Sequence, residues 1–559
     1  MSNAPKKQSF LHGAALLAIA TAIVKVIGAI YKLPLKGIIG DEGYSYFSSA
    51  YDIYTVLLLI STAGLPVAMS RMISQATSLN DPARTKKVYN TSRALFLGIG
   101  AVSTALMMLF CRQLAQSQEQ PDAWLAIFCL APCAFLMGII STYRGFFQGQ
   151  GNMIPTSVSQ VIEAIFKLVV GLLAAILILQ LGGTIPMAAA GAILGVTVSC
   201  LVSAVYLFTV FHKNADPEVL KLHQPGFDGE TVKKLLAIAV PITIGAAGLQ
   251  LLTVIETSLY MDRLVSLLDA NKLTSPLVDS IKADLLASDA ALTTQQLHSK
   301  VAANMKGVYN LSQTIYNLPN SFITPITVSI IPAITAQLTL NNHSGVKSTE
   351  ESAARITSLI ALPCAVGLML LSEPIMALLG GYTGEKLTLA SQLMTLLGIS
   401  TFLHAVVLVT NAVMQAHGHA NIPVVNMLAS GVVRLVVVYI LTGNPAIGIL
   451  GVPIGTALCN LCIAVLNIFA IRRTVKEKPA IVGNLLRSLI PAVIMGAVAI
   501  GSWWGLKHLG ITSRVILCGA PVALAGVVYL VCAVLCKSIT REDCLLLPKG
   551  AKIAKLLKL

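Results

Sequence analysis

Long apolar stretches alternate with short polar ones along almost the whole chain. Fourteen of them are long enough to cross about 30 Å of hydrocarbon as a helix. The pattern therefore predicts an all-α integral membrane protein with fourteen transmembrane helices. The predicted spans are residues 10–32, 50–73, 91–113, 123–147, 156–181, 187–211, 235–260, 307–338, 353–372, 388–416, 422–443, 446–471, 485–507 and 514–536. The first stretch lacks a small-residue cleavage site and many spans follow it, so we interpret it as a span and not as a removed signal peptide.

Composition supports this prediction. Hydrophobic residues make up 55% of the 559 residues and charged residues 11%, and the mean hydropathy is +0.79. A soluble protein of this size would carry about 25% charged residues. The predicted loops are also too short to hold a separate soluble domain. Composition thus excludes a soluble globular protein.

The distribution of positive charge predicts the orientation. With an even number of spans, both termini lie on one side of the membrane. Placing the N-terminus in the cytoplasm puts most of the 39 lysines and arginines in cytoplasmic segments, as the positive-inside rule requires. Both termini and residues 212–234 are therefore predicted to be cytoplasmic, and residues 262–306 to lie outside. The net charge of +15 follows mainly from this bias, so we expect no nucleic acid partner.

One stretch of sequence occurs twice. Residues 147–155 and residues 414–423 each end one apolar segment and start another, and a cation follows deep in the second segment, Lys167 or Arg434. Positions 159, 163 and 167 step by four, as do 426, 430 and 434, which places each set on one helix face. We therefore predict two helical hairpins that each direct a cation toward a shared interior.

The repeat extends over most of the chain. The segment around Asn80 resembles that around Asn341, and the offset between copies stays between 260 and 267 residues, about six spans. Because six is even, the copies have the same orientation and form two pseudo-symmetric lobes related by an axis along the membrane normal. The predicted domains are an N-lobe at 1–230, a C-lobe at 231–478, and the last two spans with a basic cytoplasmic tail at 479–559.

Two polar segments outside the spans predict further elements. In the outer loop 262–306, Ser275 and Pro276 predict a helix start, with Leu277, Ile281 and Leu285 on one face of a short surface helix. In the tail, lysines alternate with apolar residues between positions 549 and 558. This basic amphipathic end would favour the anionic inner leaflet, or it would form a solvated tail.

Ionisable side chains inside the spans are the candidate functional residues, because hydrocarbon makes them costly. Four of them lie deep in spans: the cations Lys25, Lys167 and Arg434 and the carboxylate Glu163. The cations therefore outnumber the carboxylate. An interior of this sign suits an anionic substrate and repels an organic cation. The candidates for substrate binding in a central cavity are Lys25, Lys32, Arg71, Glu163, Lys167, Glu256 and Arg434.

Structural roles for some of these residues stay open. Glu163 and Lys167 are four residues apart on one helix and could neutralise each other as a purely structural pair. Lys25 could extend its stem toward the membrane surface, although the middle of a span is far from it.

Little in the sequence favours enzymatic chemistry. The segment 381–386 approaches a nucleotide-binding loop but lacks its Gly-Lys-Ser/Thr ending. Cys459 and Cys462 have a redox or metal spacing but lie in mid-span without histidines, so we interpret them as packing residues. His417 and His419 lie in an inner loop and are expected to be solvated. We therefore expect no catalytic residue, no metal and no cofactor, and the identity of any coupling ion stays open.

Four stretches carry a resemblance to a known family. Residues 25–35, 39–43, 61–68 and 148–167 resemble the MurJ/SpoVB branch of the MOP exporter superfamily, a polysaccharide biosynthesis branch. The chain departs from the MurJ pattern in the eighth span, where Gln313 and Thr314 stand ahead of Pro319 in place of an arginine. That departure makes the chain more similar to the SpoVB-like members of this branch than to the MurJ members.

This resemblance implies a V-shaped, MATE-like bundle with alternating access in the bacterial plasma membrane. It implies outward movement of an undecaprenyl-diphosphate-linked cell-wall precursor, lipid II or a related glycolipid. The oligomeric state stays open, and we expect a monomer. The partners are this anionic glycolipid and membrane lipids. Two alternatives remain open: a cation- or drug-coupled antiporter of the same fold, which needs a deep unpaired carboxylate, and a non-transporting factor in sporulation envelope assembly.

Overall fold

Helices form all the regular secondary structure that the computed structural model describes. The described residues are 10–62, 64–214, 227–289, 291–476, 478–536 and 538. Within them lie seventeen α-helices and two 3₁₀ turns, Pro121–Ala123 and Gly448–Leu450. The helices are α1 (Phe10–Thr62), α2 (Leu65–Ser78), α3 (Pro82–Gln116), α4 (Trp124–Gly149), α5 (Ile154–Gln180), α6 (Ile185–Asn214), α7 (Gly229–Asp269), α8 (Pro276–Ser288), α9 (Thr294–Thr339), α10 (His343–Leu370), α11 (Ser372–Leu379), α12 (Gly384–Ala416), α13 (Asn421–Thr442), α14 (Gly451–Thr474), α15 (Ile481–Leu486), α16 (Leu489–His508) and α17 (Arg514–Leu535). The predicted all-α fold is confirmed.

Ten helical stretches among the described residues are long and apolar enough to cross a membrane. They coincide with the third to sixth and ninth to fourteenth predicted spans. The other four predicted spans fall within α1, α2, α7 and α9. The chain is a multi-pass membrane protein, and the total of fourteen spans stays a prediction. The basic tail lies outside the described residues.

The first predicted loop is instead helical. Helix α1 continues through it and is broken at Gly40, whose φ of 69° lies in the left-handed region that glycine adopts without strain. Just beyond the break, Asp41 and Glu42 are buried. Asp41 pairs with Lys36 at 3.5 Å, and Glu42 pairs with Lys300 at 3.2 Å. Because these carboxylates have cationic partners, the segment between the first two predicted spans can be helical and buried.

The two copies of the repeated stretch fold into the same turn. Gly151 between α4 and α5 has φ 77°, and Gly418 between α12 and α13 has φ 80°. The Gly151 amide donates to the Gln148 carbonyl at 3.0 Å, and the Gly418 amide donates to the Gln415 carbonyl at 3.1 Å. The predicted passage from one helix to the next is therefore present in both copies, while the direction of each cation toward a shared interior stays a prediction.

A second pair of repeated positions also shares its geometry. Asn80 and Asn341 have left-handed φ values of 49° and 53°. The next residue in each copy caps the following helix: the Asp81 side chain accepts an amide at 2.9 Å, and the Asn342 side chain accepts one at 3.1 Å. Two independent turns thus support the internal repeat, while superposition of whole lobes stays a prediction.

The predicted outer loop is mostly helical. Helix α7 extends to Asp269 and α9 begins at Thr294, so the ends of two long helices occupy much of residues 262–306. Helix α8 lies between them, and the Ser275 hydroxyl accepts the Val278 amide at 3.2 Å as its cap. Leu277 and Ile281 are buried. The predicted short helix and its apolar face are confirmed.

The chain divides into two compact units. The first contains Met1–Val265 and Leu285–Gly307. Within it, α4 packs against α1, α2, α3 and α6. An aromatic cluster supports this packing: the Phe211 ring lies 5.1 Å from Tyr89 and 5.0 Å from Phe146.

The second unit contains Ser266–Asp284 and Val308–Leu559. Here α12 packs against both α10 and α14, and α16 and α17 pack against each other. An apolar cluster that includes Leu362, Met495 and Tyr529 joins α16 and α17 to α10. The Tyr529 hydroxyl donates to the Leu359 carbonyl at 2.8 Å. The predicted domain borders at 230 and 478 stay predictions.

Candidate functional site

Two of the predicted site cations lie against one aromatic ring in the first unit. The Lys32 Nζ is 5.6 Å from the centroid of the Tyr51 ring, and the Lys167 Nζ is 5.7 Å from it. Both distances are within the range of a cation–π interaction. Lys32 and Tyr51 belong to α1 and Lys167 to α5, so the packing of α1 against α5 builds the site. All three side chains are half-buried.

A carboxylate and a third lysine adjoin this group. Asp52, next to Tyr51, interacts electrostatically with Lys32 and with Lys306. Lys306 is fully buried, and its Nζ donates to the Ser49 hydroxyl, which lies one turn before Asp52 on α1. Three ammonium groups therefore accompany one carboxylate, and the described part of the site has a surplus of positive charge.

Glu163 has a partner on another helix. Its carboxylate lies 3.1 Å from the Arg144 guanidinium, which also donates to the Ser159 hydroxyl at 2.9 Å. The two side chains are 25% and 13% exposed, so the pair is partly shielded from water. The geometry favours this interhelical pair over a Glu163–Lys167 pair within α5. Lys167 still feels the Glu163 charge but lies against Tyr51.

Arg434 lies in the second unit with a separate polar group. It is half-buried on α13 and interacts electrostatically with the buried Tyr316 of α9. Asn460 of α14 is 3.5 Å from the His404 ring, and the His404 and Tyr316 rings are 6.5 Å apart. Arg434 and the pair of His404 and Asn460 therefore share Tyr316 as a neighbour.

The remaining candidates have different surroundings. Arg71 is exposed on α2, and Glu256 is buried in α7 at 3% exposure. Lys25 belongs to α1, but its side chain lies outside the described residues. The structure thus brings Lys32 and Lys167 together, pairs Glu163 with Arg144 beside them, and places Arg434 in the other unit.

Two sequence-based expectations are wrong. The sequence predicts Lys306 at the end of a polar outer loop, but the residue lies within α9 and is fully buried, with Ser49 and Asp52 as polar partners. His417 was expected to be solvated, but its ring nitrogen lies 2.7 Å from the carboxylate of Glu350, and its side chain is only 9% exposed.

Several site residues were missed by reasoning from sequence. Tyr51 and Asp52 lie where the predicted span 50–73 begins, and Arg144 lies near the end of the predicted span 123–147. One signal was available for Asp52. It follows Ser45 and Ser49 at helical spacing, and a polar stripe in an otherwise apolar helix predicts a face turned toward protein.

Family models match most of the chain. The model described as "Polysaccharide biosynthesis protein" matches residues 10–337. The model described as "Lipid II flippase MurJ" matches residues 284–517.

The chain is similar over its length to proteins of Bacillus subtilis (strain 168). It is 25% identical to "Uncharacterized membrane protein YabM" over 568 residues, which cover 99% of this chain and 97% of that protein. It is 23% identical to "Stage V sporulation protein B", with 80% of each chain covered. It is also 23% identical to "Lipid II flippase MurJ", with 93% of this chain and 94% of that protein covered.

Solved structures share the fold. "Lipid II flippase MurJ, inward closed conformation" has a TM-score of 0.64 at 14% identity, covering 92% of this chain and 97% of that one. An inward-facing multidrug resistance MATE family transporter of the MOP superfamily has a TM-score of 0.62 at 17% identity, covering 83% and 95%.

Proposed function

Because the chain belongs to the polysaccharide biosynthesis protein family, we propose that it is a flippase for an undecaprenyl-diphosphate-linked cell-wall precursor. The substrate class is lipid II or a related glycolipid, and movement is from the inner to the outer leaflet by alternating access. The membrane is the bacterial plasma membrane, with both termini in the cytoplasm. The similarity to proteins named as a lipid II flippase and a sporulation protein supports this proposal.

The observation that carries the proposal is the placement of Lys32 and Lys167 around Tyr51. A diphosphate that leaves the headgroup region loses its hydration and needs charge-assisted donors in place of water. Two ammonium groups held near one aromatic ring offer such donors. Because Arg144 pairs with Glu163, that carboxylate has a cationic partner of its own.

Charge also offers a driving force. An inside-negative potential favours outward movement of an anion by about 2.3 kcal/mol per charge per 100 mV. The same field favours the inward return of the empty, net-positive site. The membrane potential can therefore drive the cycle, and a coupled ion gradient is the other source of energy.

A cation-coupled antiporter would need a carboxylate that can release and accept its coupling ion. Asp52 and Glu163 are carboxylates beside Lys32 and Lys167, and each has cationic neighbours. This pairing favours the anion flippase over the antiporter.

Rescue of a bacterial strain depleted of its lipid II flippase tests the substrate class. We expect the full-length protein to restore growth. A direct assay uses purified protein in vesicles that contain a fluorescent undecaprenyl-diphosphate glycolipid. Outward movement should accelerate when an inside-negative potential is imposed. No rescue by protein that is inserted and folded, together with no movement in vesicles, would overturn the proposal.

A further inference from the structure

Two buried thiols meet between α4 and α6 of the first unit. The Sγ atoms of Cys133 and Cys200 are 2.8 Å apart, and both side chains have no exposed surface. The Cys133 thiol also contacts the Tyr54 hydroxyl at 3.3 Å. Neither cysteine is used by the proposed transport mechanism.

The distance between the sulfur atoms distinguishes this pair from ordinary packing. Carbon atoms in van der Waals contact are about 3.5–4.0 Å apart, and sulfur is larger than carbon. A disulfide has an S–S distance of about 2.05 Å. The thiols are thus closer than a non-bonded contact, and a shift of under 1 Å would bring them to bonding distance.

Two neighbouring thiols could instead bind a soft metal ion. The Met137 thioether lies 3.8 Å from the Cys200 Sγ and would complete a set of three sulfur ligands. A metal ion with bonds of about 2.3 Å to two thiolates at a tetrahedral angle would hold them roughly 3.8 Å apart. The observed separation is too short for that arrangement, so it favours a covalent bond.

The thiol pair adjoins the candidate site. The Tyr54 ring, which contacts Cys133, lies 5.8 Å from the Tyr51 ring. Cys200 also interacts electrostatically with Lys167. The cysteines therefore lie immediately behind the side chains that we assign to substrate binding.

We propose that Cys133 and Cys200 are a modification site, a dithiol that peroxide converts to a disulfide between α4 and α6. One thiol loses its proton, and its thiolate attacks hydrogen peroxide and becomes a sulfenic acid, while the released hydroxide takes up that proton as water. The second thiol then attacks that sulfur, the S–S bond forms, and hydroxide leaves with the proton as water. Together the two thiols lose two electrons, and one peroxide is reduced to two waters. The proposal goes beyond the transport function and does not depend on it.

Peptide mapping of the full-length wild-type protein tests this directly. Purified protein in detergent is treated with hydrogen peroxide, unreacted thiols are alkylated under denaturing conditions, and the digest is analysed by mass spectrometry. We expect a cross-linked peptide that joins the Cys133 and Cys200 segments and is two hydrogens lighter than the sum of its parts. A reductant added before digestion should abolish it.

Cys129 provides a matched control, because it lies one turn before Cys133 on the same helix and is half-buried. Cys129→Ser should retain the cross-link, whereas Cys133→Ser and Cys200→Ser should each lose it. Recovery of both cysteines in the wild type as alkylated thiols, or as separate sulfinic acids, would overturn the proposal. Because the wild-type measurement stands alone, poor folding of a variant would not obscure the result.

Discussion

The Arg144 guanidinium lies 3.1 Å from the Glu163 carboxylate and ties α4 to α5 beside the cation site. This ion pair affects which side chain Lys167 contacts. With Arg144 as its close partner, Glu163 does not hold Lys167 in a pair within α5, and the lysine lies against Tyr51. Positive charge is thereby retained where an anionic substrate would bind.

We expect Glu163→Gln to lower stability but to preserve transport. The substitution leaves the partly buried Arg144 without its charged partner, and hydrogen bonds to charged groups contribute about 1.5–3 kcal/mol. Thermal unfolding in detergent and glycolipid movement in vesicles measure the two effects. The double variant Arg144→Gln with Glu163→Gln should lose less stability than the two single losses added together. A folded Glu163→Gln protein without transport would instead favour the cation antiporter.

Lys32→Ala and Lys167→Ala should each reduce transport at least tenfold. Loss of one partner of a desolvated charge pair costs roughly 2–5 kcal/mol, and each 1.4 kcal/mol is a factor of ten in affinity. The arginine substitutions should keep much of the activity because they preserve the charge. Lys234→Ala is the control, since Lys234 forms an ion pair with Glu230 in which both side chains are well exposed. Normal glycolipid movement by both site variants would refute the assignment.

Tyr51→Phe should keep most of the activity, whereas Tyr51→Leu should lose roughly 2- to 30-fold. The phenylalanine ring retains the face that attracts the two ammonium groups, and cation–π interactions contribute about 0.5–2 kcal/mol. Initial rates of glycolipid movement, normalised to inserted protein, measure this difference. Equal rates for the Phe and Leu variants would show that the ring does not hold the lysines.

Acid should remove one stabilising contact at the start of α7. The Asp228 side chain accepts hydrogen bonds from Thr231 and pairs with Lys87 at 3.1 Å. These contacts lower the pKa of Asp228 from 3.8 to about 2. A carboxylate with a depressed folded-state pKa stabilises the protein above its unfolded-state pKa and loses that effect as pH falls toward the folded-state value.

The melting temperature of Asp228→Ala should therefore lie below that of the wild type above about pH 4. The difference should shrink as the pH is lowered toward 2. The Asp228→Asn side chain can still cap the helix, so the melting temperature of this variant should lie between those of the wild type and Asp228→Ala at neutral pH. A difference that stays constant over this pH range would contradict the role of the ionised carboxylate.

Cysteine labelling tests the predicted orientation. Ser280 in α8 and Ser344 in α10 are both exposed in the structure, so each substituted cysteine is sterically available. In a protein whose reactive native cysteines have been replaced, an impermeant thiol reagent should label position 280 alone in intact cells. Position 344 should react only after the membrane is opened. Labelling at 344 with protection at 280 would invert the assignment.

The features that were predicted best from the sequence are those that a few neighbouring residues determine. The turns at Gly151 and Gly418 were predictable because glycine ends a helix by adopting a positive φ, and helix termini depend on local sequence. The cap at Ser275 has the same local origin. The helical spans followed from apolar length alone.

Residues whose environment depends on distant partners were not predicted. Glu163 has two possible cationic partners, Lys167 four residues away on the same helix and Arg144 on α4. Only the packing of α4 and α5 selects Arg144 as its partner. Lys306 and Ser49 are separated by 257 residues, so local sequence predicts only that Lys306 ends a polar outer loop. The environment of His417 likewise depends on a distant partner, because Glu350 belongs to another helix.

The turn at Gly151 bears on how the protein enters the membrane. It joins α4 to α5 through a few residues, so the two helices can insert during synthesis as one hairpin. Arg144 and Glu163 then enter the hydrocarbon already paired, which lowers the cost of burying each charge alone. We expect α5 to insert more efficiently behind α4 than by itself, and Arg144→Ala to remove that advantage in a translocon insertion assay. The ion pair would thus assist biogenesis before it shapes the transport site.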